Sequence, residues 1–114
     1  MNLNEYQKEA RLFAVNDDLL HFTFGLLEEA GEAAGVLKRV YRGDEGYEDY
    51  DWSGYGLSEE AEKKLAAELG DILWHIAVIA DNLGLGLNDI AEYNLTKLQS
   101  RAMRNVIKGS GDER

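Results

Sequence analysis

Five acidic residues are set apart by their spacing in this 114-residue chain. Glu28, Glu29 and Glu32 stand in Leu27-Glu28-Glu29-Ala30-Gly31-Glu32, and Glu68 and Asp71 in Glu68-Leu69-Gly70-Asp71. A separation of three residues puts Glu29 with Glu32, and Glu68 with Asp71, on one face of a helix. Four carboxylates converging from two helices repel and shift one another's pKa. A hard divalent cation relieves the repulsion, and oxygen-only ligands select Mg²⁺, or Mn²⁺ in its place, over zinc or copper. Acids on helices are ordinarily solvated surface, and one Glu-x-x-Glu alone would be weak evidence. Two such pairs on the two longest helices, each edging an apolar seam, outweigh that reading. Di-iron bundles also use inward carboxylates but need Glu-x-x-His on two helices. Neither His21 nor His75 follows a glutamate by three residues.

The elements that must carry these residues are four amphipathic helices, and no segment reads as a strand. The first starts after Asn2, with Glu5 as its capping-box partner, and runs to about Val15. The second spans Leu19 to Arg42 and ends at Gly43, a left-handed cap. The third starts at an N-cap Ser58 and runs to about Leu83, stopping at Gly84. The fourth runs from near Asn88 to about Asn105. In the third, Leu65, Leu69, Ile72, Ile76, Ile79 and Leu83 form a seam. It predicts a facing helix of similar length, which the second supplies through Phe22, Leu26, Ala33, Leu37 and Val40. The fold expected is all-α: an antiparallel bundle of four helices forming a single domain over residues 1–114. Four helices this short bury too little to cover every apolar face, so a homodimer or homotetramer is expected. Gly25, Gly31 and Gly70 each weaken a helix by roughly 1 kcal/mol relative to alanine, a cost that a ligand or a close helix approach would explain.

Composition narrows the partners. Twelve basic and 22 acidic residues give a net charge of −10, which argues against nucleic acid or an anionic membrane as the main partner. The absence of cysteine excludes disulfides, thiolate metal sites and a cysteine nucleophile. No leader-like or bilayer-spanning segment is read, so a cytoplasmic protein is expected. Residues 43–57, with five acids interleaved with Tyr47, Tyr50, Trp52 and Tyr55, read as a solvated loop, the alternatives being a lid or a subunit contact. Residues 106–114 form a charged, glycine-rich tail that either frays or closes over a ligand.

With these residues in view, the chain resembles the MazG-like, all-α nucleoside triphosphate pyrophosphohydrolases. Their EExxE and ExxD motifs are matched by Glu28-Glu29-x-x-Glu32 and Glu68-x-x-Asp71. The similarity continues through Gly25-Leu26, Asp71-Ile72-Leu73-Trp74, Asn94-x-x-Lys97-Leu98-x-x-Arg101 and the tail Val106 to Asp112. The spacer of 35 residues between Glu32 and Glu68 is long for the family because of the aromatic acidic loop. The resemblance implies Mg²⁺-dependent hydrolysis of an NTP or dNTP to monophosphate and pyrophosphate, in nucleotide-pool cleaning or control. It makes Glu29, Glu32, Glu68 and Asp71 the metal ligands and Glu28 a supporting residue or water-orienting base. Two other readings remain: a non-catalytic helical interaction module, and a pyrophosphohydrolase of a phosphoribosyl-nucleotide metabolite.

Asn94, Lys97, Arg101 and Arg104 form a polar stripe on the fourth helix, and residues 97–114 hold five basic and two acidic residues. A stripe of this kind is either a solvated face or a phosphate-gathering one, and the resemblance favours phosphate contacts by Asn94, Lys97 and Arg101. His21 lies ~16 Å from Glu32 along its helix, too far to share a metal and suited to a sugar or base. His75, one turn after Asp71, is placed to support the ligands by a hydrogen bond. Tyr93 is a candidate for stacking on a base, whereas Trp74 reads as core.

Overall fold

The computed structural model describes residues 1–45, 47 and 57–114. The four expected helices are present: α1 (Leu3–Arg11), α2 (Leu19–Arg42), α3 (Glu59–Asn82) and α4 (Leu87–Met103), with no strand among the described residues. Their ends follow from local chemistry. The Asn2 carboxamide accepts from the Glu5 amide at 2.8 Å while Glu5 reaches back to the Asn2 amide, completing the capping box. Asp18, a cap the sequence pattern left unnamed, accepts from the amides of Leu20 and His21. Ser58 caps α3 through the Ala61 amide, with Glu59, Glu60 and Glu62 in the positive first turn. Gly43 closes α2 at φ +69°, a backbone shape that a β-carbon disfavours.

The helix α1 is shorter than expected, ending at Arg11 and not near Val15. Beyond it the chain tightens into i to i+3 turns, Phe13 to Ala10 and Ala14 to Arg11. Arg11 pairs with Asp17 and with Asp81 (2.9 Å), tying the turn to the end of α3. The expected aromatic loop falls on residues 43–57, of which 46 and 48–56 lie outside the described residues. Of those described, Asp44 accepts from Arg42, and the Lys64 ammonium stands 4.1 Å from the centre of the Tyr47 ring.

The helix α2 packs along α3, while α1 packs on α3 and α4. Phe22 of α2 faces Trp74 of α3 and Gly25 faces His75, whereas Glu32 interacts with Glu68. The buried residues are smaller than the leucine seam predicts. Phe22, Val36 and Val40 of α2 and Ala61, Ala77, Val78 and Ala80 of α3 are buried, but Leu37, Leu69 and Leu83 are exposed. Small side chains allow close helix approach and turn the larger leucines outward. Phe24, Leu27 and Leu73 are exposed as well.

Gln7 locks the corner where α1, α3 and α4 meet. It is buried, its amide nitrogen donates to the carbonyls of Ala77 (3.2 Å) and Leu85 (2.9 Å), and its oxygen accepts from the Leu87 amide at 3.0 Å. The last of these satisfies a first-turn amide of α4, whose N-cap Gly86 has no side chain to do so. Gln7→Ala should lower unfolding free energy by about 2 kcal/mol, because buried polar groups lose their partners. Urea denaturation followed by circular dichroism checks this.

Candidate metal centre

The run Phe22, Gly25, Glu29, Glu32, Val36, Val40 advances by three or four residues and forms one continuous face of α2. Glu68, Asp71, His75 and Val78 form the corresponding face of α3. Along each helix the carboxylates interrupt the run of apolar positions, with Glu29 and Glu68 half-buried and Glu32 and Asp71 exposed. Phe22, Trp74 and Val78 close one side and Val36, Val40 and Ala61 the other. Helical periodicity places the acids there, and the apolar contacts on both sides hold them.

Two overlapping groups of carboxylates result. Ligand oxygens of Glu28, Glu29 and Glu32 lie within 4.8 Å of one another, as do those of Glu29, Glu68 and Asp71. Glu29 belongs to both. Its Oε2 is buried without a hydrogen-bond partner, while the residue as a whole is half-buried. Burial raises its pKa first, then the charges of Glu32, Asp71 and Glu68, with His75 opposing. The pKa of Glu32 is raised chiefly by the charge of Glu68. A partnerless buried oxygen amid mutually repelling carboxylates fits an oxygen-liganded divalent cation, which Glu29, Glu32, Glu68 and Asp71 could hold. Glu28 is exposed and joins through Glu29 and Glu32.

The glycines divide. A β-carbon at Gly25 would meet the His75 ring, with Cδ2 at 2.7 Å, so this glycine admits the imidazole between the helices. His75 Nδ1 lies 2.8 Å from the Asp71 carbonyl oxygen, and its ring is edge-on to Trp74. It is thus anchored to the backbone of an acidic residue in the cluster. A β-carbon at Gly31 or Gly70 would meet no described atom of another element within 4 Å, so close helix packing does not explain them. His21 is exposed and stands edge-on to Phe22, outside both carboxylate groups. Trp74 packs with Phe22 and donates to the Ala10 carbonyl at 3.0 Å, a core position.

The cations of α4 gather elsewhere. Among the described residues α4 does not pack on α2, so the structure does not join Asn94, Lys97 and Arg101 to the carboxylates through that contact. Instead Lys97 and Arg101 line a cavity of about 380 Å³ with Tyr93, Arg104 and the tail. The tail is folded back rather than frayed. Asp112 pairs with Lys97 at 2.6 Å and with Arg101 at 3.2 Å. Tyr93 is exposed, and Lys97 lies 5.5 Å from its ring centre. The pairing with Asp112 was not read from the sequence; a flexible Gly-Ser-Gly lead-in to an acid beside a basic helix is its one local signal.

A family model described as the MazG nucleotide pyrophosphohydrolase domain matches residues 19–105. "Gene 37 protein" of Mycobacterium phage L5 is 40% identical over 98 residues, covering 86% of this chain and 78% of the relative. "Uncharacterized protein YvdC" of Bacillus subtilis (strain 168) is 32% identical over 76 residues, covering 67% of this chain and 68% of the relative. No solved structure matches. The matched region contains both acidic motifs and the helices that bring them together, and the chain belongs to the MazG nucleotide pyrophosphohydrolase domain family.

Proposed function

We propose that this chain is a single MazG-like domain that hydrolyses nucleoside or deoxynucleoside triphosphates to the monophosphate and pyrophosphate, with Mg²⁺ or in its place Mn²⁺, in nucleotide-pool cleaning or control. The observation that carries this reading is that Glu29, with a buried and partnerless Oε2, belongs both to the group with Glu28 and Glu32 and to the group with Glu68 and Asp71. Glu29, Glu32, Glu68 and Asp71 would hold the cation. When bound it would neutralise phosphate charge and lower the pKa of water. Glu28, exposed beside Glu29 and Glu32, would orient the attacking water. Phosphoryl transfer asks little covalent chemistry of a protein, and alignment with charge neutralisation suffices. Pyrophosphate is a good leaving group, which fits a motif without a proton-donating histidine.

Oligomerisation supports the rest of the site. The opposed contact order of α2 and α3 favours an antiparallel pair, and exposed Phe24, Leu27, Leu69 and Leu73 favour a homodimer or homotetramer covering them. A second copy is also the means of bringing Asn94, Lys97 and Arg101 to the phosphates, since α4 does not lie on α2. In this reading His75 supports the ligands through the Asp71 backbone, and Tyr93 and His21 are offered to base or sugar. No helix among the described residues is long and apolar enough to cross a membrane, and the acidic surface disfavours nucleic acid. A cytoplasmic location accords with a nucleotide substrate.

The raised pKa values fix the sign of a stability effect. A carboxyl whose pKa is higher folded than unfolded binds more protons in the native state, so its contribution falls as pH rises. In EDTA, wild type should lose stability relative to Glu32→Gln as pH climbs from the ordinary value of 4.5 through the higher value of the folded state. Mg²⁺ or Mn²⁺ should restore it, since binding to the native state alone stabilises by mass action. Thermal melts across pH with metal or EDTA check both; a Tm indifferent to millimolar metal favours an interaction module.

Asp71→Asn and Glu32→Gln should reduce turnover at least 100-fold, the scale expected when positioned electrostatic stabilisation is lost. Lys97→Ala and Arg101→Ala should chiefly raise KM while metal binding persists. Steady-state kinetics with calorimetric Mn²⁺ titration separates the two classes. A panel of NTPs, dNTPs and a phosphoribosyl-nucleotide, assayed in ¹⁸O-water with Mg²⁺, tests the reaction itself. Label should enter the monophosphate alone; label in pyrophosphate means attack at the β-phosphorus, and labelled orthophosphate means γ-phosphate release.

A further inference from the structure

The tail after α4 is tied down by a set of hydrogen bonds unrelated to the carboxylate cluster. Asn105 at φ +57° ends the helix, and the Val106 amide returns to the Arg101 carbonyl at 2.8 Å. The Arg114 guanidinium then donates to the carbonyls of Val106 (3.1 Å), Ile107 (2.9 Å) and Gly111 (2.6 Å). Arg104 donates to the Arg114 carbonyl at 2.8 Å. Residues 106–114 thereby form a loop closed around one arginine side chain. Its consequence lies at Asp112: one carboxylate oxygen accepts from Lys97 (2.6 Å) and Arg101 (3.2 Å), and the Asp112 carbonyl accepts from Arg101 at 2.5 Å.

This arrangement puts an anion of the chain's own into a pocket whose other wall is cationic. Lys97 and Arg101 of α4 and Arg104 at its C-terminal end line the cavity on one side, and Asp112, Glu113 and Arg114 line it from the tail. Arg101 is buried, yet the Asp112 side chain that meets it is 73% exposed, so the ion pair is open to exchange from the solvent side. The two cations also hold the Asp112 carboxyl below the ordinary carboxylate value, so it is an anion at neutral pH. A phosphate offers Lys97 and Arg101 the same kind of acceptor with more charge and more oxygens.

We propose that Asp112 is a tethered stand-in for a phosphate group, so that an oligophosphate binds the α4 cations by displacing it. The inference rests on the reading of Lys97 and Arg101 as phosphate contacts and adds to it a competitor built into the fold. The tether raises the local carboxylate concentration, which makes the competition intramolecular. An ion pair whose carboxylate is open to solvent is weak, so the ligand wins and the tail only lowers its affinity. A tail that instead held the cations in place for the ligand would have the opposite effect on binding.

The probe is sodium tripolyphosphate, titrated calorimetrically into the full chain in EDTA so that no metal bridges it to the carboxylates. Asp112→Asn should bind about two- to fivefold more tightly than wild type, the factor that corresponds to losing a weak surface pair. Arg114→Ala should change affinity in the same direction, because it opens the loop without touching the ion pair. Lys97→Ala should weaken binding, and combining it with Asp112→Asn should shrink the gain, since the competing pair is already half removed. Equal or weaker binding by Asp112→Asn and Arg114→Ala, with Lys97→Ala still weakened, would reject the competition and leave the phosphate contacts standing. Tripolyphosphate affinity unchanged by Lys97→Ala would reject the phosphate contacts, and the competition with them.

Discussion

Mutual repulsion among carboxylates in the middle of an apolar seam is the constraint on which the rest of the structure depends. The packing of α2 on α3 confines Glu29, Glu32, Glu68 and Asp71 where water alone would keep such charges apart. Burial and neighbouring charge raise the pKa of Glu29, and neighbouring charge raises that of Glu32. An isolated pair of helices would relieve this strain by separating. The apolar residues buried on the two helices, Phe22, Val36 and Val40 of α2 and Ala61, Ala77 and Val78 of α3, oppose that separation. The cluster is therefore an electrostatic cost, which a bound cation would offset.

The histidine layer links that cost to the core. Gly25 leaves room for the His75 ring, His75 bonds to the Asp71 carbonyl, and Trp74 beside it bonds to the Ala10 carbonyl of α1. A displacement of the α3 backbone near Asp71 would thus disturb ring packing against α2 and a hydrogen bond to α1. Rigid packing of this kind limits how far the carboxylates can drift when no cation holds them.

The sequence carried these features unequally. Periodicity and caps were enough to read the helices, because Asn2, Ser58 and Gly43 act through bonds only a few residues long. The acidic motifs were legible for a similar reason, since i to i+3 spacing is geometry internal to one helix. Leu37, Leu69 and Leu83 were misplaced as seam residues because periodicity gives a face but not which neighbour covers it. Gln7 escaped notice since its partners, Ala77, Leu85 and Leu87, lie more than sixty positions away. Asp112 escaped because nothing in the tail's composition distinguishes a frayed end from a loop closed by Arg114. For Gln7 the missing information is long-range hydrogen bonding, which no local pattern encodes; for Asp112 the partners are at most 15 positions away, and the Gly-Ser-Gly lead-in permits the fold-back without specifying it.

The central claim is that the two helices hold a divalent cation between Glu29, Glu32, Glu68 and Asp71. Anomalous diffraction at the manganese edge from crystals grown with Mn²⁺ tests it most directly. The account predicts anomalous density between α2 and α3, within ligand distance of oxygens from Glu29 and from both members of the Glu68–Asp71 pair. Well-ordered carboxylates with no anomalous density between them, or density confined to acids elsewhere on the surface, would contradict it.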